Sequence, residues 1–302
     1  VNRIIEKDIE KILDRVDLSE LKGKSILITG STGMIGTYLM ACLDKIYPIE
    51  IYTTKYDLSN YIIGEHALLK ADYIIHAAGY AQPSKYLLDP IKTLKINTTV
   101  THQLLDRLNL GGKFLFISTG QITNMQDTNH PRACYLESKR CGEVIVNAYR
   151  SKGIDAKSAR LSLAYGPGTR ANDTRAMNSF IQQGIINKSI DLLDDGKAKR
   201  TYCYISDAIE MLWNILLHGK ESVYNIGGRS KTTIGDLAKQ IGYYLDAPVN
   251  FSNKLSLLGS PEDENLDISK YENEFGDMDF TPLKTGLINT IEWQEELYKK
   301  EV

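Results

Sequence analysis

A membrane protein, a nucleic-acid binder and a disulfide scaffold each need something of which this chain has little. No apolar run approaches the length of a bilayer span. The first residues carry charge where a signal peptide would have its apolar core. Lys and Arg number 36 against 38 Asp and Glu, a formal charge of -2, which leaves no basic footprint for nucleic acid. Cysteine is scarce, and Cys42, Cys134, Cys141 and Cys203 show neither C-x-x-C spacing nor a His-rich neighbour. Such thiols read as buried and reduced, and these absences together predict a cytoplasmic protein with no membrane or nucleic-acid partner. The acidic runs Asp194-Asp195 and Glu262-Asp263-Glu264 adjoin glycine or proline and read as solvated loops, so no metal site is expected. No internal repeat, low-complexity tract or long linker interrupts the chain.

What is present is the composition of an ordinary globular protein, 42% apolar and 25% charged over 302 residues. That length can bury a full core, as one large domain or two interlocked ones. Everything is organised around Lys24-Ser-Ile-Leu-Ile-Thr-Gly-Ser-Thr-Gly-Met-Ile-Gly36. Ser25 to Ile28 reads as a buried strand, Gly30, Gly33 and Gly36 follow at three-residue spacing, and Thr37 to Ile46 carries helical periodicity. A strand that turns sharply into a helix leaves the first helical N–H groups unpaired, and that end attracts a diphosphate. Glycines let the backbone come close enough to touch it. An ordinary glycine-rich turn is the alternative reading of the triplet.

The rest of the chain alternates. Ile4, Ile5, Ile9, Ile12, Leu13 and Val16 repeat at helical spacing, so residues 2 to about 17 form an amphipathic helix lying on the body of the protein. Strands are predicted at 49–54, 73–79, 113–119 and 156–163, with helices at 91–108 and 135–152 between them. Strands alternating with helices imply a doubly wound parallel sheet with ligands at the carboxyl ends of its strands. Beyond Tyr165 the pattern loosens: a helix at 176–186, strand-like pieces at 190–193 and 222–226, and a helix at 233–245 read as a smaller α/β lobe. The boundaries predicted are an N-terminal helix over 1–23, a dinucleotide-binding domain over 24–164, and a substrate-binding lobe over 165–302 interleaved with it.

Tyr135 and Lys139 stand four apart at the start of a helix, so both side chains face one way. A phenol titrates at about pH 10 and is a poor base near neutrality. A lysine cation beside it, with a positively charged nicotinamide, favours the phenolate. Thr119, ending a neighbouring strand, can hydrogen-bond the same substrate oxygen. Oxidising a secondary alcohol needs a base for the hydroxyl proton and an acceptor for the hydride. These residues and the glycine turn supply both, and a surface Tyr–Lys pair is the alternative.

The order Gly30-x-x-Gly33-x-x-Gly36, His76-Ala-Ala78, Asn97, Ser118-Thr119, Tyr135-x-x-x-Lys139 and Tyr165-Gly-Pro167 resembles the extended short-chain dehydrogenase/reductases that act on nucleotide sugars. The resemblance runs from about residue 24 to 295 and is specific as a set. Pro131 to Arg140, Arg200 to Asp207 and Asp89 to Asn97 look like the UDP-glucuronate decarboxylase-like branch. It implies a Rossmann-type sheet with a smaller α/β substrate-binding lobe, and an NAD-dependent epimerase/dehydratase activity. By position, Gly30, Thr32, Gly33, Met34, Ile35 and Gly36 would line the cofactor's diphosphate. Asp57 and Leu58 would meet the adenine, Ala77, Ala78 and Gly79 the adenosine side, and Asn97 would steady the active-site end. Thr119, Tyr135 and Lys139 would be catalytic, with Tyr135 and Lys139 also touching the cofactor. Ala81, Gln82, Ser84, Gln121, Asn178 and Arg200 would face the nucleotide sugar. The helices at 91–108 and 135–152 would pair across a two-fold axis into a homodimer; Leu94, Leu104, Leu105, Leu108, Val144, Val146 and Ala148 supply apolar positions, most of which must face their own sheet.

Departures from the family pattern narrow the chemistry. Decarboxylases and 4,6-dehydratases carry an acid shortly after the Ser/Thr, where this chain has Gly120 and Gln121. An Asn is replaced within Leu161-Ser-Leu163, and an Arg within Gly259 to Glu264. With Thr119, Tyr135 and Lys139 alone, the site moves one proton and one hydride at one carbon. That predicts a 4-dehydrogenase, 4-keto reductase or 4-epimerase; decarboxylation or dehydration is the alternative, and a non-catalytic nucleotide-binding protein is the alternative of another class. At the end of the second strand stand Thr53, Thr54 and Lys55. Lys55 could accept a 2′-phosphate, whereas Asp57 could reach a ribose. NAD is the cofactor predicted and NADP the alternative.

Overall fold

The computed structural model describes residues 2–54, 58, 69–123, 127–252, 263–264 and 266–299. The chain opens with α1 (Arg3–Arg15), whose first turn is capped by the Asn2 side chain accepting from the Ile4 N–H at 2.8 Å. Ile4, Ile5, Ile9 and Ile12 are buried on one face, and the helix lies on the body of the protein. β1 (Ser25–Thr29), α2 (Met34–Leu43), β2 (Glu50–Thr53), β3 (Ala71–His76), α3 (Pro83–Tyr86), α4 (Pro90–Asn97) and α5 (Thr99–Leu105) follow. Then come β4 (Leu108–Thr119), α6 (Ala133–Arg150), β5 (Asp155–Leu161), β6 (Leu163–Tyr165), α7 (Ala176–Ile186), β7 (Ile190–Asp191), β8 (Lys199–Tyr204), α8 (Ile205–His218) and β9 (Val223–Ile226). β10 (Ser230–Thr233), α9 (Ile234–Leu245), β11 (Val249–Asn250), β12 (Asp263–Glu264), α10 (Ser269–Phe275) and α11 (Leu283–Lys299) complete the described elements.

Six strands form a sheet in the order β2-β1-β3-β4-β5-β9, with every neighbouring pair parallel. Alternation along β1 shows how it is covered. Ile26 and Ile28 belong to one apolar core with α1, α2 and α8, while Leu27 belongs to another with α4 and α5. This is a Rossmann-type doubly wound sheet. Its strand order reverses direction between β1 and β3, so a crevice opens at their carboxyl ends. A second sheet runs β10-β8-β12, with β6 also paired to β8. Because β9 returns to the first sheet after β6, β7 and β8, the two sheets interleave along the chain. Among the described residues no helix is long and apolar enough to cross a membrane.

Several element bounds differ from those predicted. The helix expected over 91–108 is two, broken at Thr98, whose φ of -117° and ψ of -76° leave the helical register. The Thr98 hydroxyl donates back to the Leu94 carbonyl at 2.8 Å, and the β-branched run Thr98 to Thr101 crowds the next turn. The strand expected from 113 starts at Leu108, ahead of Gly111 at φ 76°. The strand expected over 156–163 divides at Ser162, where the chain leaves the first sheet for the second. α2 begins at Met34, three residues before its apolar periodicity becomes readable, because its first turn is Met-Ile-Gly packed on the glycine turn. Lys55 and Asp57, and with them the ribose-end alternatives, lie outside the described residues, as do Gly259 to Glu262.

Candidate active site

The glycine turn is set by contacts, not only by conformational freedom. Gly30 has φ 71°, and a Cβ there would stand 2.7 Å from the Ala78 nitrogen. A Cβ on Gly36 would stand 2.2 Å from the Gly30 carbonyl oxygen. The Gly33 N–H donates to that oxygen at 3.0 Å, and Thr37 N–H to the Gly33 carbonyl at 2.8 Å. The N–H groups of Met34, Ile35 and Gly36 have no backbone partner outside the helix among the described residues, and no side chain caps them. They form the positive end of a helix dipole at the floor of a cleft of about 550 Å³. Gly30, Thr32, Gly33, Met34, Ile35, Gly36, Leu58, Ala77, Ala78 and Gly79 all line it.

A hydrogen-bond chain holds the opposite wall. His76 is fully buried between the Thr29 hydroxyl, 2.8 Å from Nδ1, and the Ile96 carbonyl, 2.9 Å from Nε2. The carbonyl can only accept, so Nε2 carries the proton and Thr29 donates to Nδ1. Thr29 in turn accepts from the Ala78 N–H at 3.1 Å. Burial, helped by the nearby Lys139 charge, pushes the His76 pKa down to about 3 and keeps it neutral. Sequence reasoning named His76 only as part of a motif; its buried role follows from the fold.

Asn97 and Lys139 converge behind Gly79, with Tyr135 one turn before Lys139 on α6. Asn97 donates to the Thr93 carbonyl at 3.2 Å and the Ser138 hydroxyl at 2.9 Å, which leaves its buried Oδ1 without a partner. A Cβ built on Gly79 would lie 3.5 Å from Lys139 Nζ and 3.7 Å from that Oδ1. Lys139 donates to the Ile117 carbonyl at 2.6 Å and lies 4.7 Å from the centre of the Phe116 ring. Burial lowers its pKa to about 7, with Glu143 one turn along α6 partly offsetting that. The Tyr135 ring stacks on Tyr86, centroids 4.9 Å apart and 8° from parallel. Thr119 ends β4 buried, its oxygen 3.4 Å from the Gln121 N–H.

A second cavity of about 450 Å³ adjoins the first; Ala81 and Arg175 line both. Gln121, Asn178 and Arg200 line the second cavity, and Gln82 the first. Asn178 accepts from Gln294 Nε2 at 2.9 Å, and Arg200 donates to the Lys199 carbonyl at 2.6 Å. Asn97, Thr119, Tyr135 and Lys139 are buried and line neither cavity. Ser84 lines neither for the opposite reason: it is exposed on α3, where Pro83, Lys85 and Tyr86 take the inward positions. Asp194 accepts from the Gly196 N–H at 2.9 Å and Asp195 pairs with Lys197 at 2.8 Å, the contacts of a capped turn.

Apart from Arg200, sequence reasoning missed the cations of these walls. Lys85, Arg170 and Arg175 line the first cavity, and Arg132 and Arg175 join Arg200 at the second. It also missed the pair behind Thr119, where Glu143 accepts from the Ser118 hydroxyl at 2.6 Å and from Arg160 Nη2 at 2.7 Å. Lys139 and Glu143 four apart on one helix was a readable signal; the partner Arg160 on β5 was not.

The first cavity fits a dinucleotide. An open helix N-terminus faces it, glycines whose Cβ atoms would collide bring the backbone close, and Gln82 on its wall has an unpartnered Oε1. A model of the NAD dependent epimerase/dehydratase family matches residues 26–227. UDP-glucuronic acid decarboxylase 1 of Xenopus tropicalis is 27% identical, aligned over 94% of this chain and 74% of its own. UDP-glucuronic acid decarboxylase 6 of Arabidopsis thaliana is 26% identical over 87% of this chain and 86% of its own. Among solved structures, a UDP-glucose 4-epimerase of Thermotoga maritima holding UDP-glucose superposes with a TM-score of 0.77 at 21% identity, covering 91% of this chain and 99% of that one. The Bordetella bronchiseptica enzyme WbmF in complex with NAD+ gives 0.76 at 21% identity, covering 93% and 96%.

Proposed function

The chain belongs to the NAD dependent epimerase/dehydratase family, and from that premise we propose that it acts by hydride transfer at C4 of a nucleotide-activated sugar. NAD, when bound in the first cavity, supplies the hydride acceptor and donor. Tyr135 takes the C4 hydroxyl proton as oxidation begins and returns one if the ketone is reduced. Thr119 orients that hydroxyl from the end of β4. Lys139, on the same helix face one turn on, stabilises the phenolate as a cation, and its carbonyl contact at Ile117 fixes where that charge sits. The carrying observation is what accompanies this set: Gln121, not a carboxylate, stands two residues after Thr119 at the cavity wall. Among the described residues the cavity's carboxylates, Asp191 and Asp194, come from β7 and the turn after it. A site with no acid at that place cannot protonate a leaving hydroxyl, so dehydration is disfavoured and 4-dehydrogenation, 4-keto reduction or 4-epimerisation favoured.

A second reading rests on Arg132. Its side chain lines the same cavity as Gln121 and Tyr86, and no acid pairs with it among the described residues. It suits an acidic sugar, and the decarboxylases named above are consistent with one. Once C4 is a ketone, a carboxylate on C5 is that of a β-keto acid and leaves as CO₂ without an acid to assist it. Incubation with a panel of nucleotide sugars, followed by mass spectrometry, separates the readings. A change of two hydrogens, or inversion at unchanged mass, is the result expected on the first reading, and loss of CO₂ on the second. Loss of water sinks both.

A homodimer is proposed from the α4 and α6 faces. Leu94 and Val144 are 38% and 64% exposed, with Ile91 at 60% one turn away. Leu104, Leu105 and Val146 are buried in the protein's own core, among the positions that face the sheet. Light scattering at micromolar protein is expected to give twice the chain mass; the monomer mass would exclude the pairing.

A further inference from the structure

Arg170 crosses from the loop after β6 to the glycine turn. Its Nη2 donates to the Thr32 carbonyl and to the Thr32 hydroxyl, both at 3.0 Å. The loop is held in place from behind. Trp293 Nε1 on α11 donates to the Thr169 carbonyl at 2.9 Å, and the Tyr298 hydroxyl to the Ala171 carbonyl at 3.2 Å. Within the loop, the Asp173 N–H donates to the Arg170 carbonyl at 3.1 Å. The guanidinium therefore sits at the mouth of the first cavity on an anchored segment, facing the turn from the opposite wall.

The charges of that cavity single Arg170 out. A dinucleotide's diphosphate brings two negative charges, and the α2 N-terminus supplies only partial positive charge. Among the described residues three cations line the cavity. Arg175 is bound to the buried Asp173, with Nε at 3.0 Å and Nη2 at 2.5 Å. Lys85 stands on α3, beyond the end of β3. Of these three Arg170 is the one that touches the turn, and among the described residues no acid pairs with it. One nitrogen is spent on Thr32, which leaves the remaining N–H groups of a planar fork suited to phosphate oxygens.

We infer that Arg170 is a clasp for the cofactor's diphosphate, supplied from the far wall of the cleft and closing over Thr32. The inference rests on the reading of that cleft as the NAD site. Cofactor release then requires the loop to part from the turn, and the segment between β6 and α7 gains a role in retention.

The test is NAD affinity by calorimetry, with Arg170→Ala and Arg170→Lys beside the unaltered protein. Arg170 is exposed, so its removal is expected to leave the thermal midpoint of the cofactor-free protein unchanged. A charge-assisted hydrogen bond lost from a phosphate weakens binding by about tenfold or more, and Arg170→Lys, which keeps the charge without the fork, falls between. The gap between Arg170→Ala and the unaltered protein narrows as salt rises, because the contact is ionic and partly solvated. A role in merely shaping the turn would show no such salt dependence. Equal affinity within about twofold, or a gap indifferent to salt, overturns the clasp while leaving the NAD site standing. If the unaltered protein binds no NAD, the site assignment fails first and the clasp with it.

Discussion

Tyr135→Phe is expected to fold normally, bind NAD as before and lose turnover by about 10² to 10⁴, the contribution of a positioned general base. The buried ring has two jobs, and the substitution separates them. Its face stacks on Tyr86 at 4.9 Å, a contact that phenylalanine keeps. Its hydroxyl is the group proposed to exchange the proton, and that alone is deleted. Circular dichroism and NADH fluorescence should overlay those of the unaltered protein while kcat collapses. Activity above about a tenth would show that some other group takes the proton. Lys139→Met should be worse in a second respect. It removes the amine that donates to the Ile117 carbonyl at 2.6 Å beside Gly79, so cofactor affinity should fall along with turnover.

Gly36→Ala is expected to abolish cofactor binding by steric means. The added Cβ would stand 2.2 Å from the Gly30 carbonyl oxygen and 2.5 Å from the Ser31 Cα, and both are backbone atoms that no rotamer change can move. α2 must shift away from the turn, at an overpacking cost of about 1–3 kcal/mol. Its N–H groups then no longer point at the diphosphate. Loss of two such charge-assisted hydrogen bonds corresponds to roughly a hundredfold in affinity or more. Gly33→Ala provides the contrast, since its Cβ would meet nothing closer than the same oxygen at 3.4 Å. It should leave the thermal midpoint almost unchanged, whereas Gly36→Ala should lower it. Binding of NADH by Gly36→Ala within threefold of the unaltered protein, in the range of a fraction of one hydrogen bond, would refute the close-approach argument.

The parts of this protein that the sequence determined by itself are those whose geometry is local. Gly30, Gly33 and Gly36 lie within one strand–turn–helix, so their spacing carries over directly into a backbone that can approach a phosphate. Tyr135 and Lys139 share a helix, and four residues of separation places them on one face whatever that helix packs against. Alternating strands and helices likewise specify a parallel sheet before any contact is known. Two bounds were not read: the β-branched run at Thr98, a local feature, broke one predicted helix into two, and tertiary packing made Ser162 the crossing point between sheets.

Only the tertiary structure decided what stands opposite those motifs. Arg170 meets Thr32 across 138 residues of chain, and the loop that carries it has no periodicity to read. Asp8 on α1 accepts from Tyr38 at 2.7 Å and Tyr204 at 2.9 Å, tying a helix predicted only as amphipathic to the turn helix and to the second sheet. Ser84 and Tyr86 share a short helix, yet one faces solvent and the other the Tyr135 ring. Periodicity reports which face of an element is apolar; it carries no information about which distant element that face meets. The identity of the groups across the cleft is set by long-range packing, and so by the fold.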